Sequence, residues 1–118
     1  MSARPLPPPW LRPAVRTALD AAAPCVRCGA CDALARADAS PQVLHLLALD
    51  GRLPEAEDAG LMRADPSPVL DAACPSRIPL SGILRDARDE QRRRHEARAR
   101  HDARRARLER AAAEAAAR

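Results

Sequence analysis

The chain has 118 residues, with 20 arginines, no lysine and 16 acidic residues, and its net charge is +4. This length predicts one small domain with appendages. Phe and Tyr are absent and there is one Trp, so Leu, Val, Ile and Ala must form the core. No stretch approaches the roughly 20 apolar residues of a membrane-spanning helix, and we expect no transmembrane segment.

Residues 1–23 are predicted to form a Pro-rich arm followed by a short helix. Three consecutive prolines precede Trp10 and favour polyproline II. Trp10 either belongs to a disordered terminus or docks on the domain or on a partner. Pro13 suits the first turn of a helix over 13–22, whose apolar residues fall on one face.

Three closely spaced cysteines and one distant cysteine come next. Cys25, Cys28 and Cys31 form a C-x2-C-x2-C run, and Cys74 is followed directly by Pro75. In two-cluster bacterial ferredoxins such a run continues with x3-C-P, and its fourth cysteine ligates the other cluster. The fourth position of the first run is residue 35, and counting back from Cys74 by the same spacing gives positions 70, 67 and 64. The rule therefore defines eight ligand positions in this chain.

Four of the eight positions hold cysteine, and the other four are Ala35, Ala64, Ser67 and Leu70. Each cluster takes three ligands from one run and one from the other, so the retained cysteines make one complete set. The sequence therefore predicts a single [4Fe-4S] cluster with its twin deleted. We expect apolar atoms to fill the lost site, since voids destabilise a core; the candidates are Ala35, Ala64, Leu70 and Met62.

Two other uses of four cysteines remain open. Structural zinc sites commonly pair two short C-x2-4-C knuckles, whereas this chain divides its cysteines three to one. Two disulfides would suit a secreted protein. The N-terminus is Pro-rich rather than apolar, so we expect no signal peptide and a reducing, cytosolic compartment.

The segment between the cysteines is predicted to be helical. Ser40-Pro41 and Ser67-Pro68 each place an N-cap serine before a first-turn proline, and a further short helix is expected over 54–61. No alternating strand pattern occurs. We therefore predict an all-α fold, an α-helical ferredoxin-like domain over 24–80 with one cluster site. A domain of this size is near the limit at which a bound metal must contribute to folding.

Residues 81–118 are predicted to form one long charged helix. Residues 85–118 hold 12 arginines and 7 acidic residues, whereas the rest of the chain holds 8 arginines and 9 acidic residues. The interspersed acidic residues would oppose phosphate, so we expect no nucleic-acid binding. The helix is either simply solvated or docks on an acidic protein or an anionic membrane surface. His45, His95 and His101 are not expected to be ligands, and no catalytic arrangement is found.

At these residues the chain resembles the C-terminal iron–sulfur part of the C subunit of Rnf/Rsx-type electron transport complexes. The resemblance lies in P-C-V-R-C-G-A-C-D (24–32), S-P-Q-V-L (40–44) and A-C-P-S-R-I-P-L (73–80), and in the Arg/Ala/Glu-rich run after Arg85. It implies an electron-transfer module of an oxidoreductase complex. Members of that family carry two clusters and a large nucleotide- and flavin-binding part. This chain keeps the ligands of one cluster and has no room for the nucleotide- and flavin-binding part.

The residues and the resemblance together predict an iron–sulfur electron carrier rather than an enzyme in its own right. Redox proteins are the expected partners, and a membrane-associated electron transport complex is one candidate. We expect a cytoplasmic location, free or peripheral on the cytoplasmic face of the inner membrane. The alternatives are a zinc-stabilised, non-redox module that binds a partner through its Arg-rich helix, and a truncated relic of a larger protein. The cluster ligands in the main prediction are Cys25, Cys28, Cys31 and Cys74.

Overall fold

The fold is all-α in the described part of the chain, as predicted. The computed structural model describes residues 6–35 and 38–118, and no strand occurs among them. The α-helices are α1 (Pro13–Ala21), α2 (Ala30–Ala33), α3 (Pro41–Leu49), α4 (Leu53–Asp58), α5 (Pro68–Ala73) and α6 (Leu80–Ala117), and a 3-10 turn spans Leu61–Arg63.

Two helices begin where the serine–proline pairs predict. Ser40 Oγ accepts a hydrogen bond from the Val43 N–H at 3.2 Å, and Ser67 Oγ accepts one from the Val69 N–H at 3.3 Å. Each serine thereby satisfies a backbone donor that the first turn leaves free. The predicted helix over 54–61 is instead broken: α4 ends at Asp58, and Gly60, with φ +106°, starts the 3-10 turn.

The core forms where α3 packs on α4 and on the first three turns of α6, and where α5 packs on α6. Its fully buried side chains come from several of these elements and from the 3-10 turn, and they are Leu44, Leu53, Leu61, Leu80, Ile83 and Leu84. Aliphatic side chains and alanines fill this centre, as the absence of Phe and Tyr requires. Each helix presents an apolar face to it, and burial of those faces is the main stabilising contribution.

The N-terminal arm packs on the domain from residue 8 onward. Trp10 contacts the core and Leu11 is buried, which supports docking on the domain; residues 1–5 of the arm lie outside the described residues. The Arg12 N–H donates to buried Asp86 Oδ2 at 2.8 Å, and its guanidinium pairs with Asp89 at 2.8 Å. These bonds fix the arm to the start of α6.

Helix α6 contacts the rest of the domain as far as His95, which bonds to Glu57 of α4. From residue 92 to the end, every residue except Ala106 is exposed. These 27 residues correspond to about 40 Å of helix. Ion pairs within the helix, such as Arg94–Glu90 at 3.0 Å, provide its local support. In the described part of the chain no helix is both long and apolar enough to cross a membrane.

Candidate metal centre

Two hydrogen bonds join the distant cysteine segments. The Ala23 N–H donates to Ser76 O at 3.0 Å, and Ser76 Oγ donates to Pro24 O at 2.8 Å across 52 residues of sequence. Ser76 is buried, whereas Ala23 and Pro24 are exposed, so these bonds lie at the edge of the core. They hold the residue before Cys25 against the residue two positions after Cys74.

The first cysteine loop places its three thiols at different depths. Cys25 is half-buried, Cys28 is exposed and Cys31 lies buried in α2. Gly29 precedes α2 with φ +78°, a left-handed conformation that glycine adopts without steric cost. The Arg27 N–H approaches Cys25 Sγ at 3.4 Å. The loop therefore turns back on itself over a few residues, as a C-x2-C-x2-C run requires.

Cys74 approaches from the other side, at the end of α5. It is the C-cap residue of that helix and is half-buried. Its carbonyl accepts from the Arg77 N–H at 3.1 Å, closing a turn in which Arg77 has φ +58°. Pro75 in this turn is exposed. The chain thus leaves α5, turns at Cys74 and enters α6.

All four predicted ligands line one cleft. Cys25, Cys28, Cys31 and Cys74 share a small open cleft of about 20 Å³, walled by neutral groups that include His45 and Ile78. No disulfide forms, since all four cysteines are free. Within residues 6–35 and 38–118, no three His, Cys, Asp or Glu side chains lie close enough together to hold a metal ion. The thiols therefore share a cleft without forming a closed coordination shell.

The donors in this cleft fit an iron–sulfur cluster in number and type. Four free thiols are present, and thiolates are the ligands of [4Fe-4S] clusters and of four-cysteine zinc sites alike. Burial, with the neighbouring Asp32 carboxylate as a second cause, raises the pKa of the Cys31 thiol. Metal binding must therefore displace a proton that this environment retains, which makes affinity dependent on pH.

Asp32 and His45 support the cleft from α2 and α3. The Asp32 carboxylate accepts from Ser40 Oγ at 2.8 Å and from the Gln42 N–H at 3.1 Å, which joins α2 to the start of α3. His45 is 2% exposed, and its Nδ1–H donates to Pro41 O at 3.1 Å. Burial lowers the His45 pKa, so the ring is a neutral wall of the cleft.

The four substituted ligand positions also come together, around a different pocket. Its lining includes Ala35, Ala64, Ser67 and Leu70, and its volume is about 140 Å³. Ala64 and Leu70 are buried, but the pocket is not filled as predicted. Met62 is 37% exposed and does not line it. The prediction that Met62 fills the lost site is therefore wrong.

Two contributors to the centre, Ser76 and His45, are not evident from the sequence. Ser76 lies within the quoted C-P-S-R-I-P-L stretch, but only the fold brings its hydroxyl to Pro24. His45 shows no sign in the sequence of a role beyond solvent or packing, and the fold makes it part of the cleft wall. Helix α2, which carries Cys31, is also not predicted, because four residues leave no periodic signal.

Comparison of this chain with family models, with curated proteins and with solved structures gives no match. The resemblance to the Rnf/Rsx family therefore depends on the quoted residues alone.

Replacing Ser76 by alanine should loosen the centre without removing a thiol. The Pro24 carbonyl would lose its hydrogen bond from Ser76, which costs about 0.5–1.5 kcal/mol, and the two cysteine segments would separate more easily. Ser67→Ala is a matched control, since it removes an N-cap of about 1 kcal/mol beside the other pocket. Thermal unfolding should show destabilisation of both variants, whereas bound metal should dissociate faster only from Ser76→Ala. Equal metal retention in the two variants would contradict this role.

Proposed function

We propose that the protein is a one-electron carrier that binds a single [4Fe-4S] cluster. The observation that supports this most is the sorting of the eight ligand positions. Four of them line one cleft and four line another pocket, and the crossed ligation rule divides them in the same way. A zinc site or a pair of disulfides gives no reason for the second set to converge.

In this proposal the side chains have separate roles. The thiolates of Cys25, Cys28, Cys31 and Cys74 hold the cluster, which when bound supplies one reversibly transferred electron. Ile78 and neutral His45 limit water on the inner side of the cleft. Cys28 and Val26 are exposed, so a partner can approach the outer side. With one cluster, donor and acceptor use the same approach in turn.

We further propose an oxidoreductase complex related to Rnf/Rsx as the setting, with the protein in the cytoplasm or peripheral on the cytoplasmic face of the inner membrane. Redox proteins are the partners in this proposal, and a partner chain would supply any nucleotide or flavin chemistry. The quoted motifs carry this part of the proposal.

Reversible reduction tests the electron-carrier function directly. Anaerobically reconstituted protein should lose visible absorbance on addition of dithionite, give an electron paramagnetic resonance signal of a reduced [4Fe-4S] cluster, and recover on reoxidation. A redox titration should fit one one-electron step. A bound cluster that is destroyed by a single reduction and reoxidation cycle would contradict the carrier function.

The second candidate is a zinc-stabilised interaction module. It is favoured by the exposed part of α6, residues 92–118, which holds 10 arginines and 4 acidic residues and makes a net charge of +6. Several of these arginines form no ion pair with any described residue, among them Arg100, Arg104 and Arg107. One zinc per chain without sulfide would support this function in place of the first.

A further inference from the structure

We infer that the mouth of the cysteine cleft is a docking surface for an acidic redox protein, recognised by Arg27 and Arg77. The surface consists of these two arginines with Val26 and Pro75. The redox character of the partner rests on the proposed function. The binding itself does not, because it can be measured without electron transfer.

Each arginine lies within three residues of a predicted cluster ligand. Arg27 lies between Cys25 and Cys28, and Arg77 follows Cys74 by three residues. Their neighbours Val26 and Ser76 line the cleft, and the two bonds made by Ser76 hold both segments together. Both arginines are exposed. A partner that binds at the cleft therefore contacts chain segments that carry both arginines.

The backbone at these positions indicates that the side chains matter. Arg27 has φ +56° and Arg77 has φ +58°, and they are the only non-glycine residues with positive φ in the described ranges. Side chains other than Gly, Asn and Asp rarely adopt this conformation. Gly29, two residues after Arg27, adopts the same left-handed conformation with φ +78°. Arginine at both strained positions therefore suggests a function for the guanidinium groups.

Neither guanidinium is used inside the molecule. In the described part of the chain, neither side chain forms a hydrogen bond or an ion pair. Other arginines behave differently; Arg12 pairs with Asp89, and Arg88 donates to Ala64 O. Arg27 and Arg77 thus keep their full capacity to bind carboxylates, which a guanidinium can do in bidentate geometry.

The chemistry of the surface fits a protein better than a polyanion. Val26 is 67% exposed and Pro75 is exposed, so the surface combines a small apolar area with two cations. An apolar centre with a charged rim is typical of protein interfaces, where rim charges steer association. Lipid-binding clusters use about 4–8 cations, and nucleic-acid sites make about 6–10 phosphate contacts. Two cations are too few for either.

The test compares the cleft mouth with the more strongly charged α6. The variant Arg27→Glu/Arg77→Glu changes the charge at the cleft, and Arg107→Glu/Arg110→Glu makes the same change on exposed α6. Isothermal titration with a strongly acidic flavodoxin at low ionic strength measures binding, and iron content and circular dichroism are recorded for each protein. Wild type should bind, the cleft variant should bind at least about tenfold more weakly, and the α6 variant should change less than about twofold.

Two further measurements are needed. One separates loss of the positive charge from misfolding of the two loops, and the other tests whether the partner is a protein or a membrane. Arg27→Lys/Arg77→Lys keeps the charge but not the bidentate geometry, so it should bind more tightly than the Glu variant and more weakly than wild type. Anionic vesicles containing phosphatidylserine should not bind through the cleft arginines. The inference is overturned if wild type does not bind flavodoxin, if the α6 variant loses as much affinity as the cleft variant, or if vesicle binding depends on Arg27 and Arg77. Absence of iron with intact, arginine-dependent flavodoxin binding would instead overturn only the proposed function.

Discussion

Cys74→Ala is expected to abolish the stable [4Fe-4S] form and to destabilise the whole domain. The remaining thiols lie in one short loop, Cys25 to Cys31, and Cys74 is the ligand that ties this loop to the junction of α5 and α6. Metal binding to a small domain contributes to its folding free energy. Removal of this ligand should therefore lower both iron content and the midpoint of thermal unfolding, as measured after anaerobic reconstitution.

Val69→Ala is the matched control for this variant. Val69 lies on the helix that Cys74 caps, is 56% exposed and does not line the cysteine cleft. It should retain the cluster with a small change in stability. A Cys74→Ala protein that keeps the full visible spectrum and iron content of wild type would refute the assignment of Cys74 as a ligand.

Restoring cysteine at the four substituted positions is expected to create a second cluster. In the variant Ala35→Cys/Ala64→Cys/Ser67→Cys/Leu70→Cys, four new thiols would surround the pocket of about 140 Å³. Iron should rise from about four to about eight per chain, because each cubane takes four thiolates. The reduced protein should show magnetic interaction between two clusters. The measurement is iron and sulfide analysis with electron paramagnetic resonance.

The same variant without Ala35→Cys is the control. Ala35 belongs to the first run, so in the crossed arrangement it supplies the fourth corner of the second cluster. The triple variant should bind a second cluster incompletely or lose one iron from it. If the quadruple variant holds no more iron than wild type while remaining folded, the pocket is not a former cluster site and the ferredoxin-like interpretation fails.

The starts of α3 and α5 are predictable because their signals are local. A serine N-cap and a proline in the first turn act within four residues, and both pairs start helices in the structure. The break after α4 is not predictable in this way. Gly60 starts the 3-10 turn in a left-handed conformation, and a Cβ added there would lie 3.0 Å from the Ala39 Cβ. A sequence pattern does not reveal that contact with a distant segment.

The grouping of the cysteines is also predictable, since a repeated spacing rule defines it. Other parts of the centre depend on contacts between distant residues. The Ser76–Pro24 bond spans 52 residues and the Arg12–Asp86 bond spans 74, and neither leaves a periodic trace in the sequence. For the same reason only the structure places Trp10 on the domain and makes His45 a wall of the cleft.

The most direct test of the account is the iron, acid-labile sulfide and zinc content of anaerobically purified protein. We expect about four iron and four sulfide per chain with no zinc, the composition of one cubane. About one zinc per chain with no sulfide would contradict it, and the exposed part of α6 would then become the place to look for function.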